Sequence, residues 1–164
     1  MKLPRIISLV APLVAILALG PVSAHAFGMS GFGGKLGLLT PENGDGTMAI
    51  SGHLEFEEPG TAWHVLPSVM YWNEGSVSSL SANGDVYYHF RPEGMTTPYL
   101  GAGLGINRFD FEGTSGSNTE LGLNLFGGVR FPMGTNHLFL EGRYTASDIS
   151  QTSVLGGVTF HTPR

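Results

Sequence analysis

Thr119-Glu120-Leu121-Gly122-Leu123-Asn124-Leu125-Phe126-Gly127-Gly128-Val129-Arg130-Phe131 is the stretch on which the fold turns. Its odd positions carry Leu121, Leu123, Leu125, Gly127, Val129 and Phe131, while Glu120, Asn124 and Arg130 fall on even ones. Successive side chains of a strand point to opposite faces, so this pattern describes a strand with one apolar and one polar face. The same alternation sets Leu138, Leu140 and Tyr144 against Glu141 and Arg143, then Val154, Gly156, Val158 and Phe160 against Gln151, Ser153 and Gly157. Upstream, Leu100, Ala102, Leu104 and Ile106 alternate with Tyr99, Gly101, Gly103, Gly105 and Asn107. The first half of the chain alternates less cleanly, above all 63–72, with large apolar groups on both faces.

Turn-forming residues extend this reading along the chain. Pro41-Glu42-Asn43-Gly44-Asp45-Gly46, Pro59-Gly60, Asn73-Glu74-Gly75, Pro92-Glu93-Gly94, Glu112-Gly113-Thr114-Ser115-Gly116, Pro132-Met133-Gly134 and Ala146-Ser147-Asp148 separate eight segments. They are 31–39, 47–56, 63–72, 79–90, 98–109, 119–131, 137–145 and 151–160. Most approach the roughly 9–11 residues that a tilted strand needs to cross a bilayer.

The first 26 residues read differently. Lys2 and Arg5 precede an apolar run from Ile6 to Leu19, Gly20-Pro21 ends it, and Ala24-His25-Ala26 has the small-x-small form of a cleavage site. The expectation is a signal peptide over 1–26 and a single mature domain over 27–164. Without Lys2 and Arg5, six basic residues face thirteen acidic ones, a net charge of −7. Such a chain has no positive face for nucleic acid. It has no cysteine either, so no disulfide holds it together.

Alternation alone fits a soluble barrel, in the manner of a periplasmic lipocalin-like ligand carrier, as well as a membrane barrel. The two differ in which face is wet. Charged residues make up 13% of the chain, well below a usual soluble surface, and Lys35 is the one lysine after residue 26. That scarcity favours an apolar exterior around a polar lumen. The fold expected is all-β, an eight-stranded antiparallel up-and-down transmembrane β-barrel. An even strand number puts both ends on the periplasmic side, with loops 40–46, 73–78, 110–118 and 146–150 outward and turns 57–62, 91–97 and 132–136 inward. Phe56, Trp63, Tyr71, Trp72, Phe90, Tyr99, Phe109, Phe111, Phe131, Tyr144 and Phe160 lie near strand ends, where interfacial girdles form.

Pro98-Tyr99-Leu100-Gly101-Ala102-Gly103-Leu104-Gly105-Ile106-Asn107 and Leu138-Phe139-Leu140-Glu141-Gly142-Arg143-Tyr144 resemble the outer-membrane β-barrel domain family that includes OmpA-, OmpX- and opacity-type barrels. The resemblance spans nearly all of 27–164. It implies residence in the bacterial outer membrane, contact with its lipid, and insertion by the outer-membrane assembly machinery. In that family the last strand usually ends on an aromatic residue; here His161-Thr162-Pro163-Arg164 follow Phe160.

Strand parity points Lys35, Glu55, Asp85, Glu120, Arg130, Glu141 and Arg143 into the lumen as a structural polar network. Eight strands leave an interior that side chains fill, so these residues are read as a plug, with a small porin-like channel as the alternative. Parity also turns His53, His64, His89 and His137 inward, toward the periplasmic end. With Glu55 they are of a type to bind Zn or Ni, yet no HxH or HExxH spacing ties them together, so ordinary hydrogen bonding is preferred and no metal or cofactor is expected. Similar small barrels that deacylate lipid A use a His-Ser pair, which this chain lacks as adjacent residues, and no GxSxG is present. No catalytic residues are therefore assigned. The remaining reading is interaction through the outward loops, above all 40–46 and 110–118, which are short and carry Glu42, Asp45, Asp110 and Glu112.

Overall fold

A computed structural model describes residues 27–42, 44–90, 96–113 and 116–162. The leader expected over 1–26 lies outside the described residues, as do Asn43, the Pro92-Glu93-Gly94 turn, Thr114-Ser115 and Pro163-Arg164. The elements are β1 (Gly28–Pro41), β2 (Thr47–Glu57), β3 (Trp63–Glu74), β4 (Val77–His89), β5 (Thr97–Phe111), β6 (Ser117–Met133), β7 (Asn136–Ala146) and β8 (Gln151–His161). Each strand pairs antiparallel with its sequence neighbours, and β1 closes on β8 through pairs such as Phe32 with Phe160 and Leu38 with Val154. Closure removes every sheet edge, so backbone polar groups are satisfied within the wall, as a lipid environment demands.

The strands mostly run one to three residues beyond the expected segments, and the loops shrink accordingly. Loop 40–46 becomes 42–46, because β1 continues through Pro41, and 110–118 becomes 112–116. The expected loop 73–78 is a two-residue hairpin turn at Gly75-Ser76, with Gly75 at φ +54°, a conformation that glycine adopts without penalty. One register shift breaks the regular pairing: Met29 faces Phe56 and Gly31 faces Glu55, leaving Ser30 as a bulge.

The outer face is an apolar belt, with Leu36, Ile50, Leu100, Leu121, Leu125 and Val154 all more than half exposed. At the end that carries both termini, aromatics join it: Trp63 packs on Tyr88 at 5.1 Å, Tyr88 on Phe90 at 5.3 Å, and Phe32 on Phe160 at 5.7 Å. Three of the expected girdle residues are instead inside the barrel. Trp72, Tyr99 and Phe109 are buried there, and Phe56 is half-buried. Parity explains this, since Trp72 shares a face with His64 and Met70, and Tyr99 and Phe109 share one with Asn107. The lumen is therefore not uniformly polar. An apolar layer of Leu39, Ala49, Met70, Trp72, Phe109 and Leu155 closes it near the loops. A second, of Leu66, Tyr87, Tyr99, Phe126 and Phe139, lies deeper.

Candidate functional site

Six of the seven charges that parity turns inward meet inside the barrel, in two groups. Nearer the termini, Arg130 of β6 forms a two-pronged pair with Glu55 of β2, at 2.7 and 3.1 Å. The guanidinium also donates to the Tyr87 hydroxyl, and its carbon lies 5.2 Å from that ring's centre and 5.8 Å from that of Tyr99. Planar guanidinium suits this position, since it can grip a carboxylate and face aromatic rings at once. His64 of β3 brings Nδ1 to 3.1 Å from the same carboxylate and stacks on Tyr87 at 4.9 Å.

The second group lies closer to the middle of the wall. Lys35 Nζ of β1 donates to Glu141 Oε1 of β7 at 2.8 Å, and Arg143 Nε donates to the same oxygen at 3.1 Å. Tyr99 donates to the other Glu141 oxygen at 3.2 Å. Arg143 reaches Asp85 of β4 at 2.8 Å and lies 4.4 Å from the Phe126 ring centre. Asp85 and Asn83 accept from Asn124, whose own oxygen accepts from Thr145 at 2.8 Å. Lys35, Arg130 and Arg143 match Glu55, Asp85 and Glu141 one for one, so the two groups together are neutral. Neutrality and multiple hydrogen bonds are what make charges tolerable out of water.

Inward-facing glycines make the room. A Cβ on Gly103 would stand 2.2 Å from Asp85 Oδ1, and one on Gly157 would stand 2.8 Å from the Lys35 Cβ. A cavity of about 10 Å³ beside the two groups is lined by His53, Tyr87, Arg130, Glu141 and Thr159 among others, barely one water's worth.

Glu120, the seventh charge, is buried but separate. It accepts from Asn118 at 2.6 Å and from the Ile149 backbone amide at 3.2 Å, so it ties down loop 147–150. Ile149 then packs on the apolar layer beneath. The other loops are also stitched together: the Glu42 amide donates to the Ser150 carbonyl at 2.7 Å, the Glu112 amide to Ser76 at 2.8 Å, and the Asp45 amide to the Glu74 side chain at 2.9 Å.

The histidines divide. His53 sits deep, with Nε2 3.0 Å from Thr159 Oγ1 and its ring against Phe139. His64, His89 and His137 line a cup of about 350 Å³ at the termini end, joined by His161, Glu57, Glu58 and Arg130. The sequence reading stopped its last strand at Phe160 and so missed His161. Carrying the alternation of Gln151, Ser153 and Gly157 on to 161 would have found it.

A closed eight-stranded wall, greasy outside and ion-paired inside, coincides with a match to the family described as outer membrane protein beta-barrel domain over residues 9–162. The chain belongs to that family. No curated protein matches the sequence. Among solved structures, the barrel is similar to Neisserial surface protein A, at 15% identity over 85% of this chain and 98% of that one, with a TM-score of 0.67. The N-terminal β-barrel domain of Pseudomonas aeruginosa OprF matches at 14% identity, covering 81% and 99%, with a TM-score of 0.63. The outer membrane enzyme PagL matches at 16% identity, covering 78% and 98%, with a TM-score of 0.50. At these identities the likeness is one of fold. This outer-membrane barrel thus shares its scaffold with both a surface protein and an enzyme.

Proposed function

We propose that this outer-membrane barrel has a structural or surface-interaction role and that its lumen is a plug rather than a conduction path. The observation that carries the reading is the neutral network of Lys35, Glu55, Asp85, Arg130, Glu141 and Arg143, set among apolar side chains with a water-sized cavity beside it. An ion crossing such a lumen has to break buried pairs, each of which costs about 3–5 kcal/mol when one partner is lost. The test is planar-bilayer recording of the purified protein. Silence is expected; reproducible nanosiemens openings would establish the small-channel alternative instead.

We read the chain as non-enzymatic as well. Every described histidine turns into the barrel, so no imidazole sits on the lipid face among the described residues. The nearest approach to a base and hydroxyl is His53 with Thr159, and both are buried. Lipid A mass spectra unchanged by overexpression are the expected result.

Export by a leader cleaved after Ala26, insertion by the outer-membrane assembly machinery, and a termini end facing the periplasm complete the proposal. They follow from the family's location together with the charged, apolar and small-residue order of 1–26. Any surface ligand would meet the loops 42–46 and 112–116, in which the amides of Glu42, Asp45 and Glu112 are hydrogen-bonded to neighbouring segments. Replacement of 112–116 by Gly-Ser is expected to abolish such binding if that loop carries it.

A further inference from the structure

His137 and His161 meet at the mouth that carries both chain ends, with ring centres 4.8 Å apart and planes 57° to each other. The β7–β8 register pairs His137 with Thr159, so His161 stands one inward-facing position further along the neighbouring strand. Diagonal cross-strand neighbours of this kind lie within reach of each other's side chains. Both residues are half-buried, and Nδ1 of each is buried without a hydrogen-bond partner among the described residues. A nitrogen left so costs about 1–3 kcal/mol, and ring contact does not answer it.

The backbone beneath the pair is fixed. The His161 amide donates to the Asn136 side chain at 3.3 Å, and the next amide, of Thr162, donates to the Ser30 carbonyl at 3.0 Å. These bonds tie the end of β8 to both of its neighbours at the level of His161, and ligands ordered before an ion arrives cost less to bind with. The rings line the cup of about 350 Å³, where an ion has room to keep part of its water. Arg130 in the same lining is already held by Glu55 through two hydrogen bonds, and Glu58 adds negative charge. Imidazole suits Cu²⁺, Ni²⁺ and Zn²⁺, whereas Mg²⁺ and Ca²⁺ prefer oxygen alone. With two nitrogens from protein and the remaining positions left to water, the general order of affinities puts Cu²⁺ first.

We propose that His137 and His161 chelate a divalent transition-metal ion, Cu²⁺ most tightly, through one nitrogen of each ring. The other close pair, His64 and His89 at 4.3 Å, is seated against Tyr87 and takes no part. The site stands whether or not the lumen conducts.

Untagged protein, purified from outer membranes in detergent and stripped with a chelator, is titrated with Cu²⁺ by calorimetry. Saturable binding is expected, undisturbed by excess Mg²⁺, and electron paramagnetic resonance of the bound ion should show coupling to two imidazole nitrogens. His137→Ala and His161→Ala should each weaken binding by at least about tenfold, the least that loss of even a supporting group costs a metal site. His137→Gln and His161→Gln keep a polar side chain at the rim and should weaken it as much, which separates lost ligation from a disturbed fold. His89→Ala should bind as the parent does. Absence of saturable uptake leaves the contact as ring packing and overturns the proposal. So does undiminished binding by either glutamine variant, or loss confined to His89→Ala.

Discussion

Arg130 joins three strands' worth of lumen side chains, through Glu55, Tyr87 and the face of Tyr99. Arg130→Ala leaves the Glu55 carboxylate buried without its guanidinium, and is expected to cost about 3–5 kcal/mol, read as a lower urea midpoint in phospholipid vesicles. Replacing both charges, as Arg130→Met/Glu55→Gln, should cost less than Arg130→Ala alone, since no orphan charge remains. If the double variant instead loses the sum of the two single losses, the pair is not coupled. Parity made most of this legible. Lys35, Asp85 and Glu141 stand where alternation puts them, because a strand allows only two directions. What alternation lacks is depth and partner. It does not say that Glu120 holds the backbone of Ile149, a residue 29 positions away in a loop with no periodic pattern.

Among the strands, β5 shows how the wall and its contents are fitted to each other. Gly101, Gly103 and Gly105 face inward, opposite side chains that fill the space a Cβ would take. On Gly103 that atom would also meet the Gly84 carbonyl at 2.5 Å, so the neighbouring strand itself resists. Gly103→Ala should therefore destabilise by about 1–3 kcal/mol, as overpacked cores do. Gly84→Ala is the matched control on the lipid side, where nothing lies within 4 Å, and should change stability by no more than about 0.5 kcal/mol. Equal effects from the two would mean that the lumen is slack. Strand existence was readable from the 2-residue period, but the apolar layers inside were not. Segment 63–72 looked irregular because β3 faces lipid with one side and the buried layers with the other: Val69 and Tyr71 outside, Leu66, Met70 and Trp72 within. Binary patterning distinguishes wet from dry faces, and here both faces are partly dry.

For the molecule as a whole, the decisive quantity is what the outer face is built to touch. Leu125 stands midway along β6, 52% exposed, with Ala102 of β5 and Tyr144 of β7 as its cross-strand neighbours. In a bilayer an arginine there sits near the hydrocarbon midplane, at a cost of about 2–4 kcal/mol, falling toward zero near the interfaces. In water the same arginine would be solvated, and the substitution would be neutral or helpful to solubility. The two environments thus predict different effects for one variant. Leu125→Arg, folded into phospholipid vesicles and unfolded with urea, should lose stability by that amount. Phe131→Arg, near the termini end of the same strand and the same face, should lose distinctly less. Depth dependence of this kind cannot arise from lost packing alone, because Phe131 is the larger side chain and its removal would then cost more. A flat response to depth, or a folded Leu125→Arg variant soluble without detergent, would place water rather than lipid against the belt.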